Sequence, residues 1–173
     1  MTVRMVQTTE AHIAGFSAAV DAVARERRYL GLVSGPSIDQ RAAFVNAILA
    51  GGGVQFVAVT ATTEVVGWCD VVYAQLDGCH HVGKLGMGLL PAYRGAGYGR
   101  QLAEECIGAA YWSGIERIEL EVFASNSVAI SLYERLGFQR EGVKRRGRKL
   151  DGAYDDNILM ALLLAPTEST PVP

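Results

Sequence analysis

The sequence predicts an α/β fold of the mixed, α+β kind, in which helices pack on a twisted mixed sheet in the order β-α-α-β-β-β-α-β-α-β-β. Three observations carry this expectation. Segments that alternate with period two, such as Arg117 to Phe123, lie between segments whose apolar residues fall three and four apart, such as Leu102, Ala103, Cys106, Ile107 and Ala110. Glycine and proline clusters punctuate the chain where the period changes. The 173 residues show no repeat, linker or low-complexity stretch, which suits one domain, expected over 1–165, with 166–173 as a frayed tail.

Val3 to Gln7 reads as a first strand. Glu10 to Leu32 has helical spacing through Ile13, Phe16, Ala19, Val20, Val23 and Arg27, and Ser34-Gly35-Pro36-Ser37 interrupts it. Asp39 to Ala50 reads as a second helix that Gly51-Gly52-Gly53 ends. Gln55 to Thr60 and Val65 to Gln75 read as a hairpin, followed by a turn at Leu76-Asp77-Gly78. His81 to Leu90 is a glycine-interrupted apolar strand, and Gly99 to Trp112 an amphipathic helix. In Arg117 to Phe123, Ile118, Leu120 and Val122 share one face, with Glu119 and Glu121 on the other. Ser127 to Leu136 is a helix that Gly137 closes. Gln139 to Leu150 and Tyr154 to Leu164 are strands around an Asp151-Gly152 turn.

Sixteen Lys and Arg against 18 Asp and Glu leave a formal net charge of -2, so no nucleic-acid or membrane partner is expected. Cys69, Cys79 and Cys106 are odd in number and lack CxxC spacing, which points to reduced thiols in a cytoplasmic setting and to no metal site. The opening MTVRMVQTTE lacks the apolar run of a signal peptide, and no apolar stretch reaches the roughly 18 residues of a membrane span.

The segment Arg94-Gly95-Ala96-Gly97-Tyr98-Gly99 lies between an apolar strand and an amphipathic helix. Such a turn suits a pyrophosphate: glycines let the backbone approach closely, helix N-terminal amides and the dipole attract the anion, and Arg94 and Arg100 add charge. Three alternate glycines also occur in plain βα loops. Arg100-Gln101 replaces the Lys-Ser/Thr of a P-loop, and the turn comes too late in the chain for the dinucleotide fingerprint.

Arg94-x-x-Gly97-x-Gly99 matches the R/Q-x-x-G-x-G/A signature of the GNAT superfamily of acetyl-CoA-dependent N-acetyltransferases. A second stretch, Asn126-x-x-Ala129-x-x-Leu132-Tyr133-x-x-x-Gly137-Phe138, resembles the family's N-x-x-A-x-x-L-Y-x-x-x-G-F. The resemblance covers roughly Gln55 to Leu164 and implies the GNAT fold, with a central sheet splayed at a bulged strand. It implies acetyl-CoA as co-substrate, held by Met87, Gly88, Leu89 and Leu90, by Arg94, Gly95, Ala96, Gly97, Tyr98, Gly99 and Arg100, and by Asn126, Ala129 and Tyr133. Asn126 and Tyr133, seven apart, share a helix face, and the resemblance assigns Tyr133 the general acid role, against a plain core role beside Leu132 and Leu136. Cys106 reads as structural.

The general base stays open. Lys84 lies where relatives often carry a glutamate, and Glu121 ranks first among Glu26, Glu121, Asp155, Asp156, His80 and His81. Lys144 to Lys149 reads as a solvated strand face. By resemblance to the small-molecule and amino-acid branch, Glu26 and Tyr29 in the first helix and Tyr154 and Asp156 in the last strand are expected to bind the acceptor. The expected acceptor is the primary amine of a small molecule, an amino acid foremost. A peptide or ribosomal-protein N-terminus, or a non-catalytic acetyl-CoA-binding module, is the alternative. The family also implies a homodimer, to which the apolar strand Ile158 to Leu164 is expected to contribute.

Overall fold

A computed structural model describes residues 2–164, so the expected tail lies outside the described residues. Seven strands form one sheet: β1 (Val3–Gln7), β2 (Gly53–Thr60), β3 (Val65–Tyr73), β4 (Val82–Leu89), β5 (Arg117–Phe123), β6 (Gln139–Leu150) and β7 (Ala153–Leu163). Four α-helices pack on it: α1 (Ile13–Arg25), α2 (Ile38–Ala47), α3 (Tyr98–Trp112) and α4 (Ser127–Arg135). The strand order is β1-β2-β3-β4-β5-β7-β6, and β4–β5 is the parallel pair in an otherwise antiparallel sheet.

Two cores follow from the alternation of side chains across the strands. On one face, Leu102, Cys106 and Ala110 of α3 and Ile130 and Tyr133 of α4 meet Cys69, Val71, Ile118, Leu120 and Met160. On the other, Phe16, Ala19, Val20 and Val23 of α1 and Val45 of α2 cover Val57, Val59, Val65 and Trp68. Burying each such large apolar side chain contributes about 1.5–3 kcal/mol.

The structure alters four expectations. The first helix stops at Arg25, because Arg27 is left-handed with φ 58° and the chain turns away. Glu26 and Tyr29 therefore lie in a loop and not in the helix. The sheet is splayed, but β4 shows no register shift against β3: they pair one to one from Gly83–Tyr73 to Leu89–Gly67. The splay lies on the other side, where pairing of β4 with β5 ends at Lys84–Glu119 while both strands run on. Lastly, β7 lies between β5 and β6, so it offers no free edge to a second copy. The edges are β1 and β6, and β6 carries the basic run.

Candidate active site

The gap between β4 and β5 is lined by backbone. In an antiparallel pair, successive residues point their amides to alternate sides. Leu90 N donates to Val66 O at 2.9 Å and Ala74 N to Val82 O at 2.9 Å. With the register of β3 and β4, this turns the amides of Lys84, Gly86, Gly88 and Leu90 toward β3. Those of Leu85, Met87 and Leu89 point the other way, toward β5 and the gap. Of the four strand residues expected to hold acetyl-CoA, Met87 and Leu89 thus present backbone amides to the gap. Gly88 and Leu90 do not, because the ladder to β3 engages them.

Gly88 and Gly86 serve the opposite face. A Cβ on Gly88 would lie 2.3 Å from the Trp68 ring, so glycine lets that indole cross β4. A Cβ on Gly86 would lie 3.2 Å from Asp70 Oδ1.

The turn after β4 forms as the glycines require. Gly95 and Gly97 have φ of 79° and 86°, a left-handed region that side chains rarely adopt, and Gly97 is the N-cap of α3. Open space surrounds the Cβ direction of both. Gly97 O accepts from Arg100 N at 3.1 Å and Gln101 N at 3.2 Å, which leaves the amides from Gly95 to Gly99 ahead of the helical pattern. Gly99 joins the two sequence motifs: a Cβ there would be 3.2 Å from Leu89 Cδ1, 3.5 Å from Met87 Cε and 3.6 Å from Leu132 Cδ2. Arg100 pairs with Glu104 at 2.7 Å along the helix surface.

Arg94 behaves unlike its sequence reading. Its guanidinium grips Glu26 in bidentate fashion at 2.5 and 2.8 Å, and its Nε donates to Leu89 O at 2.9 Å. It also lies 4.7 Å over the Tyr29 ring. The charge expected at the phosphate turn is spent tying the loop after α1 to the end of β4. Glu26 is spent as well, which removes it as a base.

In α4, the Asn126 side chain accepts from Ala129 N at 3.3 Å and caps the helix. Tyr133 is buried, its ring 5.8 Å from that of Phe138. Burial, with a smaller effect from Cys69, pushes its phenol well above the ordinary tyrosine range, so it holds its proton at neutral pH. Cys106 Sγ donates to Cys69 O at 2.9 Å in the same core.

On the other face, Glu121 accepts from Lys144 Nζ at 2.6 Å and Asn157 Nδ2 at 3.1 Å, with Lys84 Nζ at 3.6 Å. The Lys144 bond, then that of Asn157, holds its carboxyl below the usual range. A carboxylate so stabilised is a weak proton acceptor, so the structure argues against Glu121 as the base. It borders a cleft of about 200 Å³ shared with Lys84, Lys144, Arg117 and Glu119.

The β6–β7 hairpin meets the loop after α1, where the acceptor is expected, though not through Tyr154 and Asp156. Tyr154 is half exposed beneath Arg146 and Lys149, and Asp156 Oδ1 accepts from Arg146 N at 2.7 Å. The residues that reach the α1 loop are Asp151, bidentate on Arg27 Nη2 at 2.7 and 2.8 Å, and Arg148. Arg148 lies 4.6 Å over the Phe123 ring and donates to Arg27 O at 2.6 Å. The basic run is therefore anchored at alternate residues by Glu121, Tyr154 and Phe123, and is more than a solvated face. A bulge makes this possible: pairing jumps from Lys144–Asn157 to Arg148–Asp155.

Asp70 went unmarked in the sequence. It is 7 % exposed on the α1 side of β3, with Gln55 Nε2 at 3.5 Å. Burial raises its carboxyl to about 7, against the opposing effects of Gln55 and Arg41. Its signal was an acidic residue inside an apolar strand, Val65 to Tyr73, where aspartate is disfavoured.

A sheet splayed beside a glycine turn at a helix N-terminus can be compared with known proteins. Residues 22–138 match the Acetyltransferase (GNAT) family. The chain belongs to that family. A [ribosomal protein bS18]-alanine N-acetyltransferase of Escherichia coli strain K12 is 40 % identical over 72 residues, 42 % of this chain and 49 % of that protein. The chain thus spans about half the length of that relative. An L-amino acid N-acetyltransferase of the same strain is 29 % identical over 110 residues, 63 % of this chain and 68 % of that protein. A GNAT-family acetyltransferase from Streptococcus pneumoniae superposes with a TM-score of 0.87 at 25 % identity, covering 94 % of this chain and 100 % of its own. A phosphinothricin acetyltransferase from Sinorhizobium meliloti, solved with acetyl-CoA, superposes at 0.88 and 20 % identity, covering 98 % and 95 %, and shares the fold. Among the described residues no cluster of metal-ligating side chains occurs, and no helix is long and apolar enough to cross a membrane.

Proposed function

We propose that this GNAT protein moves the acetyl group of acetyl-CoA to the primary amine of a small molecule, with amino acids the leading class. The observation that carries the reading is the run from the Met87 and Leu89 amides, turned to the open side of β4, to the left-handed glycine turn that opens α3. An amide-bearing arm that ends in a pyrophosphate fits such a run: strand amides pair with the arm, and turn amides with the helix dipole hold the anion.

The amine nitrogen attacks the thioester carbon, the carbonyl oxygen gains charge that a Met87 or Leu89 N–H steadies, and the carbon–sulfur bond breaks. Tyr133, kept protonated by burial, gives its proton to the departing thiolate. Asn126 caps α4 at the rim, and Ala129 and Arg100 line it. Glu26 and Tyr29 frame the acceptor side, where Arg94 couples them to β4, and Asp151 and Arg148 reach it from the hairpin in place of Tyr154 and Asp156. A peptide N-terminus is the second reading, supported by the 40 % identical ribosomal-protein relative. The hairpin tip clasped to Arg27 by Asp151 and Arg148 favours the smaller acceptor. We place the protein in the cytoplasm on its three free cysteines. A homodimer would use a face or the β1 or β6 edge, since β7 is interior; sedimentation equilibrium tests it.

The deciding experiment is thiol release from acetyl-CoA with amino acids, polyamines, aminoglycosides and alanine-initiated peptides. Turnover with amino acids above peptides supports the reading. The reverse order supports the peptide reading, and acetyl-CoA binding without release from any amine supports a non-catalytic module.

A further inference from the structure

An acceptor amine enters as ammonium and must lose a proton before it attacks. The carboxylates around the gap are committed: Glu26 to Arg94, Glu121 to Lys144 and Lys84, and Asp151 to Arg27. Asp155 holds Ser125, and Asp156 holds the Arg146 amide. Asp70 is different. Its recorded side-chain bond is the long one from Gln55, and its Oδ1 faces Gly86, which is only half-buried. A side chain at position 86 would cover that oxygen, and glycine leaves it reachable.

We propose that Asp70 is the base of the transfer, taking the ammonium proton of the acceptor through one water seated over Gly86. This rests on the acetyl-transfer reading. The surroundings suit the task. Gln55 Oε1 and Arg41 Nε are buried without a protein partner, so the neighbourhood is polar enough to hold water. From α2, Arg41 acts on the carboxylate at a distance while its guanidinium lies 4.7 Å over Phe16 and 5.6 Å over Phe44. From β4 the same face presents Lys84, held toward Glu121 on β5, and from α1 it meets Phe16, Ala19, Val20 and Val23. Burial outweighs Arg41, and a carboxyl near 7 is a stronger base than an ordinary carboxylate. Asp70 also sits opposite the acid. The residue before it, Cys69, lies in the core with Tyr133 and acts on that phenol. Base and acid therefore flank one level of the sheet, the first on the amine side, the second on the thiolate side.

The protons balance. The ammonium gives one to Asp70, the freed lone pair forms the carbon–nitrogen bond, and the carbon–sulfur bond breaks. Asp70 returns its proton to solvent past Gly86, and the second nitrogen proton leaves through the same water. The thiolate takes the Tyr133 proton, and the tyrosinate regains one from solvent.

The test compares wild type, Asp70→Asn and Glu121→Gln in thiol release with the fastest amine of the panel above. A carboxyl carbon NMR titration of the wild type, with the Asp70 carboxyl assigned through its own backbone resonances, runs beside it. We expect kcat/KM to show an acidic limb near 7 in wild type and in Glu121→Gln. In Asp70→Asn the limb disappears, the rate at pH 7.5 falls about 100-fold, and acetyl-CoA affinity stays within about threefold. The Asp70 carboxyl should titrate near 7. A midpoint below about 5 overturns the proposal, whatever becomes of the variant's folding. So does an Asp70→Asn enzyme that keeps the limb, or a Glu121→Gln enzyme that loses it. Thiol release with none of the amines removes the acetyl-transfer reading and this one together. Release with an unchanged Asp70→Asn profile removes this one alone.

Discussion

Burial favours the neutral form of two residues of the site, and each effect has a measurable consequence. For Tyr133 it stabilises the neutral phenol, so no loss of activity from this residue is expected until pH rises above the ordinary tyrosine value near 10. Tyr133→Phe should cut kcat about 100-fold with acetyl-CoA affinity little changed, as stopped-flow thiol release and calorimetry would show. For Asp70 burial also favours the neutral form, and the sign for stability follows. The folded-state value lies above the unfolded one, so the folded protein binds the extra proton between about 4 and 7, and stability falls as pH rises through that window. Asp70→Asn should therefore be more stable than wild type at pH 8. The difference should shrink by up to about 1.4 kcal/mol per pH unit on acidification toward 4, as read by urea denaturation. The environment of Asp70 was not visible in the sequence, since burial of a strand residue depends on which helix covers it.

At the scale of elements, the β4 glycines and the turn carry the arrangement. Gly88→Ala should cost about 1–3 kcal/mol, because the Trp68 ring occupies the space and can move only by disturbing Phe16 at 5.7 Å. Gly97→Ala meets open space but must hold φ 86°, so a cost of about 1 kcal/mol and weaker acetyl-CoA binding are expected, the latter by isothermal titration. The turn was legible because left-handed backbone selects glycine locally. The splay was legible only by resemblance, and its cause differed: the expected bulge is absent from β4, whose Gly88 and Gly86 make room for Trp68 and Asp70. The first helix was drawn too long because Glu-Arg-Arg-Tyr has good local helix propensity, and tertiary ion pairs overrode it.

Across the whole molecule, ion pairs between distant segments close the side proposed for the acceptor. Arg94–Glu26 spans 68 residues and Arg27–Asp151 spans 124, joining the α1 loop to both the cofactor turn and the hairpin tip. Arg94 and Glu26 are two-thirds or more buried, so a double-mutant cycle of Arg94→Ala and Glu26→Ala should give a coupling energy of about 1–2 kcal/mol in urea denaturation. Each single variant should also raise KM for the amine. The more exposed Arg27–Asp151 pair should couple more weakly and lose its coupling at high salt.

What the sequence by itself determined is the order of the elements, the glycine turn that opens α3, the capped helix Ser127–Arg135 and the family. These depend on backbone conformation, period and short motifs, which act over a few residues. Which side chains the turn and helices would face was decided by tertiary structure. Arg94 left the phosphate for Glu26, Glu121 was neutralised by lysines 37 residues before it and 23 after it, and Asp70 came to lie under Gly86. Charge pairing and desolvation depend on distance in space, and separation along the chain does not encode that.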